Sequence, residues 1–187
     1  MRLFIALNLP KKERQRIDRA ARPLREEELP VRWVDLDNFH VTLKFLGNVR
    51  ASQVEAIQET LDRVGGATAP FDARVTGFGA FPTIRRPSVL WAGVEATPEL
   101  RCLKQDVEWG LSELGFEKET RAFHPHLTLG RASAGGAGRF RGLDELVASM
   151  EVDAGFVVRS VDLMRSRTGR GGPEYSLLHK ARLTGGD

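Results

Sequence analysis

At 187 residues the chain is long enough for one well-buried core or two small lobes. With 41% hydrophobic and 28% charged residues it reads as folded rather than disordered, and a net charge of +3 is compatible with a phosphate-bearing partner without requiring one. No stretch approaches the roughly 20 apolar residues of a membrane helix, and the lone Cys102 excludes an intramolecular disulfide.

The opening Arg2 to Leu9 reads as a buried strand closed by Pro10. This apolar run is too short for a signal peptide and lacks a small-residue cleavage site, so a cytoplasmic location is expected. Lys11 to Glu28 predicts a helix bent or stopped near Pro23, and Val31 to Val34 a short strand. After a turn at Asp35 to Asn38, Phe39 to Leu46 is a strand ended by Gly47-Asn48. Ser52, with Glu55 three residues later, predicts a capping box opening a helix that Gly65-Gly66 stops.

Phe71 to Phe78 and Ser88 to Val94 read as strands. Thr97 or Pro98 opens a helix with Leu100, Leu103, Val107, Leu111 and Leu114 on one face and Gly115 at C′. Cys102 within it is expected as a small buried residue. Phe123 to Gly130 is another strand, and Ser133 to Gly138 a small-residue loop. Phe140 to Met150 suggests a short helix, and Val152 to Met164 one long strand. Arg167 to Pro173 then forms a glycine-rich turn before a strand over Tyr175 to Leu183.

Two runs in this order nearly repeat: His40-Val41-Thr42-Leu43 and His126-Leu127-Thr128-Leu129, eighty-six positions apart. On a strand, residues i and i+2 face the same way, so each histidine projects with its threonine. Placed side by side, the two strands would gather two imidazoles and two hydroxyls around one pocket. Imidazoles titrate near neutrality, so one can donate a proton while the other accepts one. A single histidine of this kind reads more readily as a core residue bonded to a carbonyl. Two identically framed pairs reverse that preference, because burying four polar groups is costly unless they line a wet site.

Other residues are weaker candidates. Lys44 shares the predicted face of His40 and Thr42. Arg131 falls opposite His126 by strict alternation, yet its strand-end position lets a guanidinium swing toward a phosphate. His124 and His126 lie two apart, as metal ligands can, but the third ligand is missing from the pattern, and a structural or rim role suits His124 better. Tyr175 could stack on a base or sit half-buried in its strand. Core packing is the expected role of Trp33, Phe45 and Phe123, and a flexible hairpin turn, rather than a phosphate cradle, that of the Gly169 to Tyr175 stretch.

With these residues in view, the chain resembles the two-histidine (2H) phosphoesterases, and within them the bacterial and archaeal RNA 2′,3′-cyclic phosphodiesterases, also called 2′-5′ RNA ligases. The likeness covers Arg2-Leu3-Phe4-Ile5-Ala6-Leu7, Val31-Arg32-Trp33-Val34 and Phe39-His40-Val41-Thr42-Leu43-Lys44-Phe45-Leu46-Gly47. It continues through Val89-Leu90-Trp91-Ala92-Gly93-Val94, Pro125-His126-Leu127-Thr128-Leu129-Gly130-Arg131 and Gly172-Pro173-Glu174-Tyr175. Gly130 stands where relatives often carry alanine, a change expected to matter little. Ser166-Arg167-Thr168 departs from the family's Ser-x-Leu.

The resemblance implies an α+β fold, bilobal, with two pseudo-symmetric antiparallel sheets lining a central cleft and helices on the outer faces. Residues 1–187 would form a single domain of two lobes. It implies His40 and His126 as the catalytic pair, His40 as acid and His126 as base, and Thr42, Thr128 and Arg131 as phosphate-binding, with no metal and no other cofactor. The implied activity opens 2′,3′-cyclic phosphate ends of RNA, or small cyclic nucleotides, to 2′-phosphates, with 2′-5′ ligation as a related reaction. The expected state is a monomer with no membrane partner. The alternatives are a catalytically silent module that binds RNA ends, and a metal-dependent phosphohydrolase.

Overall fold

The computed structural model describes residues 1–133 and 137–186, so residues 134–136 of the predicted small-residue loop lie outside the described residues. Its strands are β1 (Arg2–Asn8), β2 (Val31–Trp33), β3 (His40–Asn48), β4 (Phe71–Pro82), β5 (Pro87–Val94), β6 (His126–Ala132), β7 (Gly155–Val158), β8 (Ser160–Gly169) and β9 (Gly172–Arg182). The helices are α1 (Lys11–Ala20), α2 (Arg22–Glu26), α3 (Val54–Ala67), α4 (Pro98–Ser112) and α5 (Leu143–Ser149). No described helix is long and apolar enough to cross a membrane.

The strands form an open antiparallel sheet in the order β7-β4-β5-β6-β3-β1-β8-β9, with β2 added to β6. It divides into two halves, β3-β1-β8-β9 with four strands and β7-β4-β5-β6 with a fifth, β2, on β6, each contributing one His-x-Thr strand to the middle. The seam between them is one register pair, Val41 with Leu127. This is the expected α+β fold of two antiparallel halves, made continuous at the seam.

The alternation of β1 shows how the two faces of the sheet differ. Leu3, Ile5 and Leu7 enter the main core, where Val41 and Leu127 pack with Ile57 and Leu61 of α3 and Leu103 and Val107 of α4. Phe4 and Ala6 point the other way and join Met164 and Tyr175 in a small separate cluster. Each fully buried leucine or isoleucine contributes about 1.5–3 kcal/mol, so the helix-covered face anchors the sheet. The opposite face can then carry polar groups.

Pro23 falls in the first turn of α2, where its missing N–H costs little. The hydroxyl of Thr97 caps α4 by accepting from the Leu100 N–H at 3.2 Å. The helix ends as predicted, with the Phe116 N–H on the Leu111 carbonyl, the Gly115 N–H on the Ser112 carbonyl, and Gly115 at φ +90°.

Four expectations need correction. Ser52 does not cap α3; it lies in a 3-10 turn over Ala51–Gln53, and the amide oxygen of Gln53 accepts from the Arg50 N–H at 3.3 Å. Gly65 and Gly66 do not stop α3. A Cβ at Gly65 would lie 2.5 Å from the Arg182 carbonyl, so glycine there lets the helix meet β9 closely. The run Val152 to Met164 is two strands, because β7 pairs with β4 in one half and β8 with β1 in the other. Cys102 is exposed, on the solvent side of α4.

Candidate active site

Val41 and Leu127, the seam pair, are fully buried on the core side. Their neighbours His40, Thr42, His126 and Thr128 are half-buried on the opposite face. The site is therefore centred where the two halves meet. The structure brings the four motif side chains to one face across one seam.

The rings are held in the same way. His40 Nδ1 lies 2.7 Å from the Asn38 carbonyl, and His126 Nδ1 lies 2.7 Å from the His124 carbonyl. A carbonyl oxygen can only accept, so each Nδ1 carries the hydrogen and each Nε2 is left to exchange protons. Thr42 Oγ1 stands 3.1 Å from His40 Nε2.

Aromatic rings flank both histidines. Tyr175 meets His40 edge to face with centroids 5.1 Å apart at 89°, and Phe81 meets His126 at 4.9 Å and 87°. Phe4 lies 5.0 Å from His40, and Trp91 lies 6.5 Å from His126. Tyr175 thus belongs to the site. Phe4 and Phe81 were missed from the sequence; the strand alternation of Phe4 with Ala6 was the available signal for the first.

Both imidazoles are held below the ordinary value of 6.5. For His40 burial is the main cause, opposed by its bond to the Asn38 carbonyl and reinforced by the nearby charge of His126. For His126 burial again leads, the His124 carbonyl opposes it, and the charges of Arg131 and His124 add to it. Burial pushes the Tyr175 phenol up, partly countered by Arg131 and Arg2. Arg131 therefore acts on residues from both halves.

Its position follows from a β-bulge. On β6, Trp91 pairs with Thr128 and Leu90 with Gly130, leaving Leu129 as the extra residue. The bulge shifts the alternation, so Arg131 returns to the face of His126, whereas strict alternation placed it opposite. On β3, Ala6 pairs with Thr42 and Ile5 with Lys44, leaving Leu43 extra. The same shift takes Lys44 off the cleft face and buries it beside Glu108 of α4 at 2.7 Å. Lys44 is not a cleft cation.

The bulge also returns Phe45 to the cleft, where it is 64% exposed and 6.1 Å from Phe4. The expected core role fails for Phe45, whereas Trp33 and Phe123 do pack half-buried against the main core. Gly130 is constrained: a Cβ there would lie 2.5 Å from Val31 Cγ1 and 2.9 Å from Trp33 Cε3. The exposed ring of His124 lies at the rim, 6.4 Å from Phe81. Among the described residues no three histidine, cysteine or acidic side chains converge as a metal site.

Such an arrangement can hand a proton in on one side of a bound group and take one out on the other, with hydroxyls and a guanidinium to hold an anion between. The chain is similar to known proteins over most of its length. The model of the family described as LigT like Phosphoesterase matches residues 7–91 and 93–175, one His-x-Thr run in each stretch. An RNA 2′,3′-cyclic phosphodiesterase of Aeropyrum pernix is 37% identical over 157 residues, 82% of this chain and 87% of its own. One of Methanothermobacter thermautotrophicus is 31% identical over 185 residues, 98% and 99% of the two chains. The crystal structure of E. coli LigT complexed with 3′-AMP superimposes with a TM-score of 0.76 at 27% identity, covering 98% of each chain. The chain belongs to the LigT-like phosphoesterase family.

Proposed function

We propose that this protein opens 2′,3′-cyclic phosphates on RNA ends or single nucleosides, leaving a 2′-phosphate, by acid–base catalysis from His40 and His126. The observation that carries this reading is the matched pinning of the rings. Each Nδ1–H donates to the carbonyl two residues before it at 2.7 Å, leaving each Nε2 as the atom that exchanges a proton. Relatives named RNA 2′,3′-cyclic phosphodiesterase at 37% and 31% identity support it.

In the forward step water attacks phosphorus, and His126 Nε2 takes its proton. The bond from phosphorus to the 3′-oxygen breaks, and His40 Nε2–H protonates the leaving oxygen. Thr42, Thr128 and Arg131 hold the non-bridging oxygens as charge develops on them. The charge of Arg131 favours neutral His126, which suits a base. Both proton transfers use protein groups, so the reaction proceeds without a metal. A 5′-hydroxyl in place of water would give a 2′-5′ linkage by the same transfers. In this reading the chain works as one two-lobed domain over 1–187, a monomer acting on RNA ends in the cytoplasm.

Product mapping on a defined RNA ending in a cyclic phosphate, with and without chelator, tests the reading. The expected result is a 2′-phosphate formed at the same rate in both. Binding without product would leave a silent RNA-end module, and loss of turnover in chelator would mean a metal-dependent hydrolase.

A further inference from the structure

Behind the motif strands lies a buried group of charges that the reaction above does not use. Lys44, Lys104 and Glu108 are 3%, 8% and 7% exposed. Glu108 takes the Lys44 ammonium on one carboxylate oxygen and the Lys104 ammonium on the other, each at 2.7 Å. Burial pushes the Glu108 carboxyl up, but the hydrogen bonds from Lys104 and Lys44 outweigh this and hold it below the usual range. Glu119 closes the group, its carboxylate 2.7 Å from Lys104 and its N–H 3.2 Å from Glu108. Two cations and two anions balance.

The contacts of the group with the backbone indicate what it does. Lys104 Nζ donates to the carbonyl of Leu43, the extra residue of the β3 bulge immediately after Thr42, at 2.5 Å. Lys44 Nζ donates to the Glu117 carbonyl at 2.7 Å, and Lys104 sits 5.5 Å from the Phe123 ring. Glu117, Glu119 and Phe123 all lie on the segment that runs from α4 into Pro125-His126. One buried ammonium thus touches both the residue after Thr42 and the chain that delivers His126.

The other half meets the same need differently. The equivalent bulge carbonyl, Leu129, accepts from the Val34 N–H at 2.8 Å. Both bulges therefore have their extra carbonyl held, one by backbone beyond β2 and one by a lysine. A bulge carbonyl left unpaired in a dry core would cost free energy and let the strand relax.

We propose that Lys104, neutralised by Glu108 and Glu119, is a positioning residue that sets the spacing of the two histidine–threonine pairs by holding the β3 bulge against the segment ending at His126. The proposal rests on the two-histidine reaction above for its effect on rate, and its effect on histidine titration needs no substrate.

Glu108→Gln keeps the shape and an acceptor oxygen while removing the charge; Lys104→Met removes the donor to Leu43. Their thermal melts, kcat and KM on a nucleoside 2′,3′-cyclic phosphate, and NMR titration of both histidines test the idea. Misplacement on the scale of 1 Å costs about 10–100-fold, so kcat is expected to fall by that much. KM should stay within about threefold. The His40 titration should move upward toward its ordinary value as the charge of His126 recedes.

A folded variant with the parent kcat and parent titrations would overturn the proposal, however much its melting temperature drops. A lower kcat with unchanged titrations would overturn it too, because spacing would then not be what changed. If neither variant folds, Glu119→Gln, at the more exposed end of the group, carries the same comparison. If the parent itself turns over no cyclic phosphate, the proposed activity fails and the titrations alone decide the positioning role.

Discussion

Phe45 and Arg131 occupy the same place in the two halves, three residues beyond a motif threonine, and a bulge turns each toward the cleft. The pseudo-symmetric scaffold thus offers an apolar ring on one side and a guanidinium on the other. Arg131→Met should weaken binding of the phosphoryl oxygens by about 1.5–3 kcal/mol, a loss of roughly 10–200-fold in kcat/KM. It also removes a charge that lowers the titration of His126. With His126 as base, the acidic limb of the pH–rate profile should move to higher pH. Arg131→Lys keeps the charge and should leave that limb in place while recovering only part of the rate. A full set of kcat/KM values against pH for both variants checks the two effects separately.

Replacing either histidine should remove most activity, by about 10²–10⁴-fold for each general acid or base. The parent profile should be bell-shaped, because one imidazole must carry a proton while the other is neutral. His40→Ala is expected to abolish one limb and His126→Ala the other, with circular dichroism unchanged. Near-normal turnover in either variant would remove the assignment.

The two histidine–threonine pairs were legible because their pattern is local. A histidine and threonine two apart share a face of any strand, and helical spacing placed Leu100, Leu103, Val107 and Leu111 on the buried side of α4. What escaped the sequence depends on pairing between strands. A bulge inserts one residue relative to its neighbour and inverts every later side chain, and nothing in Leu43 or Leu129 announces it. Lys44 was therefore expected in the cleft and lies in the core, while Phe45 was expected in the core and lines the cleft. The division of Val152 to Met164 between β7 and β8 has the same origin, since the partners β4 and β1 belong to opposite halves.

The depressed histidines also set a stability profile. Their folded values lie below the ordinary 6.5, so in the window beneath it the unfolded chain binds protons that the folded chain refuses. Their contribution opposes folding there. Stability should accordingly be full above about pH 6.5 and fall as the pH drops through the window, from about 6.5 toward the folded values. Melting temperatures measured from about pH 7.5 down to about 5.5 should show this fall, and His40→Gln should flatten it. An unchanged slope in that variant would mean that other groups govern the acid limb.

The two threonines separate anion binding from proton transfer. The Thr42 hydroxyl lies 3.1 Å from His40 Nε2, whereas among the described residues Thr128 makes no matching bond to His126. If each hydroxyl holds a phosphoryl oxygen, Thr42→Ala and Thr128→Ala both lose a hydrogen bond to a charged group, worth about 1.5–3 kcal/mol. That corresponds to roughly 10–200-fold in rate. Only Thr42→Ala removes a partner of a titrating nitrogen, so only it should displace a limb of the pH–rate profile. Thr→Ser at either position keeps the hydroxyl and should recover much of the loss, with some excess rotamer freedom from the missing methyl. The measurement is kcat/KM against pH for the four variants on one cyclic nucleotide. Alanine variants with full activity would reduce the threonines to strand-forming residues, and a limb displaced by Thr128→Ala would place that hydroxyl on His126 during the reaction.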